Sequence, residues 1–143
     1  MVTLQFGLLL LLLITPASNL LLDLSWSGNA SLALYFFAIL IFIFAAQALQ
    51  PSLRINPIPK PDAPLITCGI YNYLRHPMYF AVMLVAAGVM IQKINLISIL
   101  LWLILGANMS IKAKYEDKLL RQIHQDAADY QSKVPDLLGE RFE

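Results

Sequence analysis

Four long apolar stretches, at residues 4–22, 31–49, 78–91 and 96–111, constrain this chain more than any other feature of its sequence. A helix that crosses a bilayer needs about 20 mostly apolar residues, with a range of roughly 17–25. The first two stretches meet that length, and the fourth sits near its lower limit. The third reaches it only by starting inside the segment before it. Gln92, Lys93 and Asn95 form a brief polar break, so the last two read as a tight helical hairpin. Of 143 residues, 59% are hydrophobic and 13% charged, with a mean hydropathy of +0.67. Soluble domains carry roughly 45–50% apolar and about 25% charged residues. The excess must face lipid. The expectation is an all-α integral membrane protein with four transmembrane helices, in a single domain over 1–143.

The first stretch has a rival reading. Leu8–Ile14 followed by Pro16, Ala17 and Ser18 matches the core and cleavage region of a signal peptide. No Lys or Arg precedes it, and apolar character resumes at Leu20–Leu22, which favours a retained helix bent at Pro16. Charge sets the orientation. Nine of the ten Lys and Arg residues fall in two places: Arg54, Lys60 and Arg75 after the second stretch, and Lys112, Lys114, Lys118, Arg121, Lys133 and Arg141 in the tail. Cytoplasmic loops collect Lys and Arg, and four spans put both basic segments on one side. Both termini are thus expected in the cytoplasm, with Lys93 on the far side.

Two regions are not lipid-like. Residues 51–75 hold five prolines (Pro51, Pro57, Pro59, Pro61, Pro64) and read as an extended connector. In the charged tail, Leu119, Leu120 and Ile123 keep helical spacing, which predicts an amphipathic cytoplasmic helix over 115–130. With a net charge of +1, no bulk field draws a nucleic acid. The single cysteine, Cys68, excludes a disulfide within the chain. Without a CxxC or a Cys/His cluster, no metal site is expected, and the scattered glycines form neither a GxGxxG nor a P-loop.

The densest run of functional side chains is Gly69-Ile-Tyr-Asn-Tyr-Leu-Arg-His-Pro-Met-Tyr79, where the connector meets the third stretch. Pro77 suits the first turn of a helix, and the free N–H groups of that turn bind anionic groups such as carboxylates. Taken singly, Arg75 reads as a snorkelling cation, the tyrosines as an interfacial belt and His76 as a cap. Together within one short segment they read as a site. Cys68 beside them reads as a packing cysteine, His124 as a solvent-facing residue, and Asn108 as an intramembrane polar residue that is either functional or bonded to a neighbouring helix.

This run resembles the isoprenylcysteine carboxyl methyltransferase and phospholipid methyltransferase superfamily, whose members carry a Gly-x-Tyr-x-x-x-Arg-His-Pro-x-Tyr segment. Gly69, Tyr71, Arg75, His76, Pro77 and Tyr79 match it. Pro64-Leu65-Ile66-Thr67 is similar to the family's approach to that glycine, and Glu116-Asp117, Leu120, Tyr130 and Val134-Pro135 to its elements after the hairpin. The resemblance covers about 53–135. It departs where Asp117 replaces Glu, where Ile123-His124-Gln125 replaces Phe-Gly, and where Ala127 or Ala128 replaces a tyrosine.

The resemblance implies an S-adenosylmethionine-dependent membrane methyltransferase acting on a lipid-like or isoprenylcysteine-type carboxylate acceptor. Its partners would be membrane lipids and a hydrophobic or lipidated acceptor. Leu65 and Ile66 would line the adenine, Tyr71 would pack on the nucleoside, and His76, Pro77, Met78 and Tyr79 would hold the amino-acid end. Glu116 would take the ammonium, closing the pocket from the tail, with Lys112 and Arg75 toward the acceptor. No catalytic base is assigned, because a carboxylate with a pKa of about 4 is already ionised at neutral pH. Two alternatives stay open: an NADPH-dependent reductase of related architecture, and a non-enzymatic membrane protein.

Overall fold

Runs of Leu, Ile, Phe and Ala without internal proline leave the backbone one way to satisfy its own polar groups in an apolar setting, which is the helix. The computed structural model describes residues 2–16, 26–49 and 65–140. Among these the order is α1 (Val2–Ile14), α2 (Ser27–Leu49), a 3-10 turn (Gly69–Asn72), α3 (Pro77–Gln92), α4 (Leu96–Ile123) and α5 (Ala127–Lys133). No strand occurs among the described residues. Two helices, α2 and α4, are long and apolar enough to cross a membrane, and α1 and α3 are shorter apolar helices.

Little of the apolar surface is internal. The core is a thin seam of Leu8 and Leu12 from α1, Ala86 and Val89 from α3, and Leu105 and Met109 from α4. Phe6, Leu10 and Ile14 on α1, Phe36, Phe37 and Phe44 on α2, and Leu100 and Leu103 on α4 all stand exposed. An apolar exterior of this extent marks a surface that meets something other than water.

Small residues let the helices approach. Ala38 and Ala45 of α2 and Ala81 and Ala86 of α3 are buried, as expected where association depends on close backbone packing. The Ser31 hydroxyl donates to the Gly88 carbonyl at 2.9 Å, tying α2 to α3. A Cβ on Gly88 would fall 2.4 Å from Cε1 of Tyr35, so this position tolerates no side chain while the ring stays in place.

The hairpin between α3 and α4 turns on Asn95. Its side chain accepts from Ser98 N–H at 2.8 Å, and the Ser98 hydroxyl accepts from Asn95 N–H at 3.2 Å, which is a reciprocal capping box. The Asn95 amide also donates to Pro16 O at 3.3 Å, and Lys93 donates to carbonyls of Leu12 and Leu13. The end of α1 is thereby pinned to the start of α4.

One sequence expectation changes here, and two others run beyond the described residues. The first helix ends at Ile14, where Thr15 turns its hydroxyl back to Leu11 O and Pro16 follows; the bend at Pro16 and the apolar residues Leu20–Leu22 extend into positions outside the described residues. So does the connector up to Pro64, with Arg54 and Lys60. The expected separate amphipathic helix over 115–130 is in fact the second half of α4. Nothing between Ile111 and Ile123 breaks a helix, and Lys, Ala, Glu and Leu prolong one. The break comes at His124, and only α5 is a separate element.

Candidate functional site

The site forms where the 3-10 turn, the start of α3, the charged half of α4 and the C-terminal segment converge. Gly69 opens the turn with φ +61°, a left-handed value that favours glycine. The turn leads through Arg75 to Pro77, the first residue of α3, with His76 as its N-cap. Pro77 has no N–H to lose and its fixed φ is ready for helix. One turn of chain therefore places Arg75, His76 and Tyr79 at a single helix end.

At their centre lies Asp117 of α4, only 4% exposed. Arg75 Nη1 donates to its Oδ2 at 2.6 Å, and His76 Nε2 meets its Oδ1 at 3.0 Å. A carboxylate paired with arginine only accepts, so the imidazole proton on that side belongs to Nε2. Gln131 of α5 donates to the Asp117 carbonyl at 3.0 Å. The C-terminal segment completes the frame: Arg75 N–H donates to Pro135 O at 3.1 Å, Arg75 Nη2 to Glu140 O at 2.9 Å, and Tyr130 to Tyr71 O at 2.6 Å. Leu138 and Glu140 N–H groups donate to Asp136, which shapes that segment into a turn.

Glu116, the neighbour of Asp117, points elsewhere. Its side chain is 40% exposed, accepts the Tyr79 hydroxyl proton through Oε1, and holds Oε2 3.8 Å from His76 Nδ1. The rings of His76 and Tyr79 stack with centroids 5.4 Å apart and planes 3° apart. Lys112, one turn before Glu116, sets its ammonium 4.7 Å above the Tyr79 ring. The ring face thus already receives a cation. Burial pushes the Tyr71 phenol up to about 12, with the Glu116 charge adding to the rise. Burial likewise raises Tyr130 to about 12.

Of the residues expected from sequence, Arg75, His76, Pro77, Tyr79, Lys112 and Glu116 meet here. Leu65, Ile66 and Met78 are half-buried in adjoining chain, and Cys68 is a free, exposed thiol. Arg75, expected toward an acceptor, is buried and turned into the protein, held by Asp117 and Glu140. Glu116 was expected to come from a separate tail and instead sits on α4. His124 caps α4 and is half-buried, where a solvent-facing position was expected.

Sequence reading gave Asp117 no role, although a signal existed. Leu105, Met109, Ala113 and Asp117 recur every four residues, so the acid continues the buried stripe of α4. The clasp by Glu140 through its backbone had no side-chain signal at all.

A family model for phospholipid methyltransferases matches residues 29–127, from the start of α2 through the Gly69–Tyr79 segment, the hairpin and the acidic pair. No curated protein and no solved structure matches the chain. The match covers well over half of the sequence and contains Arg75, His76, Tyr79, Glu116 and Asp117, the residues that build the site. The chain belongs to the phospholipid methyltransferase family.

Proposed function

We propose that this protein transfers a methyl group from S-adenosylmethionine to a lipid-like acceptor that enters the site laterally from the bilayer. The observation that carries this reading is the division of labour between adjacent acids: Asp117 is consumed by Arg75 and His76, while Glu116 stays half-exposed beside aromatic faces.

The donor set fits the cofactor. Its ammonium needs a carboxylate able to make charge-assisted hydrogen bonds, which Glu116 offers. Its cationic sulfur needs an aromatic face, which Tyr79 would offer once the Lys112 ammonium leaves the ring for the acceptor. Its carboxylate needs N–H donors, and the first turn of α3 has backbone N–H groups without intrahelical partners. Leu65, Ile66 and Tyr71 would pack on the nucleoside. When bound, S-adenosylmethionine supplies an electrophilic methyl on its sulfonium.

The chain's own task is alignment and exclusion of water. Arg75 and Asp117 hold His76 and the start of α3 rigid, so that Glu116 and Tyr79 keep their places. Pre-orientation of this kind can be worth roughly 7–11 kcal/mol of barrier. Lys112 would face the acceptor. A cation there attracts a carboxylate and repels a protonated amine, which favours a lipid-like acid. Such an acceptor needs no base, since its pKa is about 4.

The architecture proposed with it is one domain with four spans, α1 to α4, and both termini in the cytoplasm. Lys112, Lys114, Lys118 and Arg121 then lie on the cytoplasmic end of α4. Calorimetry on the purified full chain in detergent tests the cofactor. Saturable binding of S-adenosylmethionine is expected, lost in His76→Ala and Glu116→Ala. No binding by the unaltered chain, or tight NADPH binding in its place, would overturn the proposal.

A further inference from the structure

Two amides lie buried in the apolar seam below the site. Gln5 of α1 and Asn108 of α4 are 9% and 7% exposed. Gln5 Oε1 and Asn108 Nδ2 have no hydrogen-bond partner among the described residues. A buried polar atom without a partner is destabilising, and polar side chains at membrane depth commonly mark a functional path.

The two amides sit within about 4 Å of one level along the helix axes. Asn95 donates to Pro16 O, so α1 and α4 run antiparallel from that contact. At about 1.5 Å of rise per residue, Gln5 lies about 16 Å from it along α1, and Asn108 about 20 Å along α4. Both belong to faces that share the core of Leu8, Leu12, Leu105 and Met109. Asn108, Lys112 and Glu116 follow at four-residue intervals on one face of α4. Asn108 therefore lies about 6 Å below Lys112 and about 12 Å below Glu116, on the line from the proposed transfer site into the bilayer.

One orphan is an acceptor and the other a donor. A group that gives one hydrogen bond and takes one, as a hydroxyl does, answers both at once. We propose that Gln5 and Asn108 form a polar subsite that holds a neutral hydroxyl on the chain of the methyl acceptor, a reading that rests on the methyltransferase function above. The subsite fixes how deep the acceptor sits, and so which of its atoms reaches Lys112 and the methyl group. An acceptor without that hydroxyl leaves two buried polar atoms unanswered and is discriminated against.

Thermal unfolding of the full chain in detergent, with 1-hexadecanol or with n-hexadecane, tests this. The alcohol should raise the midpoint and the alkane should not. Gln5→Leu and Asn108→Leu should lose that difference while keeping their affinity for S-adenosylmethionine, and Asn108→Ser, which keeps a donor, should retain part of it. Equal responses to alcohol and alkane would overturn the subsite. So would an undiminished alcohol response in both leucine variants, the result expected if the amides only bridge α1 to α4. Cofactor binding without alcohol preference removes the subsite alone. Alcohol preference without cofactor binding supports the subsite as a lipid site and removes the methyl-transfer reading.

Discussion

At the scale of single residues, Glu116 and Asp117 show how one step along a helix separates two roles. Successive side chains are about 100° apart, so one acid faces the protein and its neighbour the opening. Asp117→Asn leaves the buried Arg75 guanidinium without its counter-charge. Breaking a buried pair in this way costs about 3–5 kcal/mol, which chemical unfolding in micelles will register. Glu116→Gln removes a charge that is partly in solvent and should leave stability within about 0.5 kcal/mol. It should weaken S-adenosylmethionine by about 10- to 100-fold, the range of a charge-assisted hydrogen bond.

The tyrosines give a pH dependence with a definite sign. Tyr71 and Tyr130 ionise near 12 in the folded chain against about 10 when unfolded. A raised folded value means the native state holds its proton more tightly. That stability is complete below pH about 10 and is lost as pH rises toward about 12. Phenolate absorbance should show late-titrating tyrosines, and Tyr71→Phe or Tyr130→Phe should each remove one. The Gly69–Tyr79 cluster was readable because its residue types carry chemistry individually. Asp117 was less so, since an acid in a charged helix looks solvated until the stripe it continues is traced back to Leu105.

At the scale of elements, packing depends on small residues and caps. Gly88→Ala sets a methyl against Tyr35, and overpacking of this kind costs about 1–3 kcal/mol. A thermal midpoint lowered in Gly88→Ala and restored by adding Tyr35→Leu would locate the clash. The hairpin was legible from Gln92, Lys93 and Asn95, because polar residues between apolar runs must lie at a helix junction. The length of α4 was not. Its apolar half and its amphipathic half have different composition but the same period, so a change in composition resembles a boundary where the backbone continues. The end of α1 and its pinning by Asn95 depend on contacts about 80 residues apart in sequence, which no local pattern encodes.

At the scale of the molecule, an apolar exterior and a thin core describe a protein completed by lipid. The site closes only when the last residues fold back: Pro135 and Glu140 offer carbonyls to Arg75, and Tyr130 reaches Tyr71. Truncation after Lys133 should therefore leave the apolar helices assembled, as judged by helicity, yet weaken cofactor binding at least tenfold by calorimetry. The all-helical character was evident from hydropathy alone, because long apolar stretches leave the backbone few other ways to satisfy its polar groups. The closure of the site by the C-terminal segment was not, because backbone carbonyls carry no residue-specific signature.

The proposed methyl transfer takes place at the junction of the 3-10 turn, α3 and α4. Its most direct test incubates the full chain, reconstituted with a membrane lipid extract, with methyl-labelled S-adenosylmethionine. Label is predicted in the solvent-extractable lipid fraction, and about 10- to 100-fold less of it with the Glu116→Gln variant when S-adenosylmethionine is sub-saturating. An unlabelled lipid fraction, or equal labelling by the variant, would contradict it.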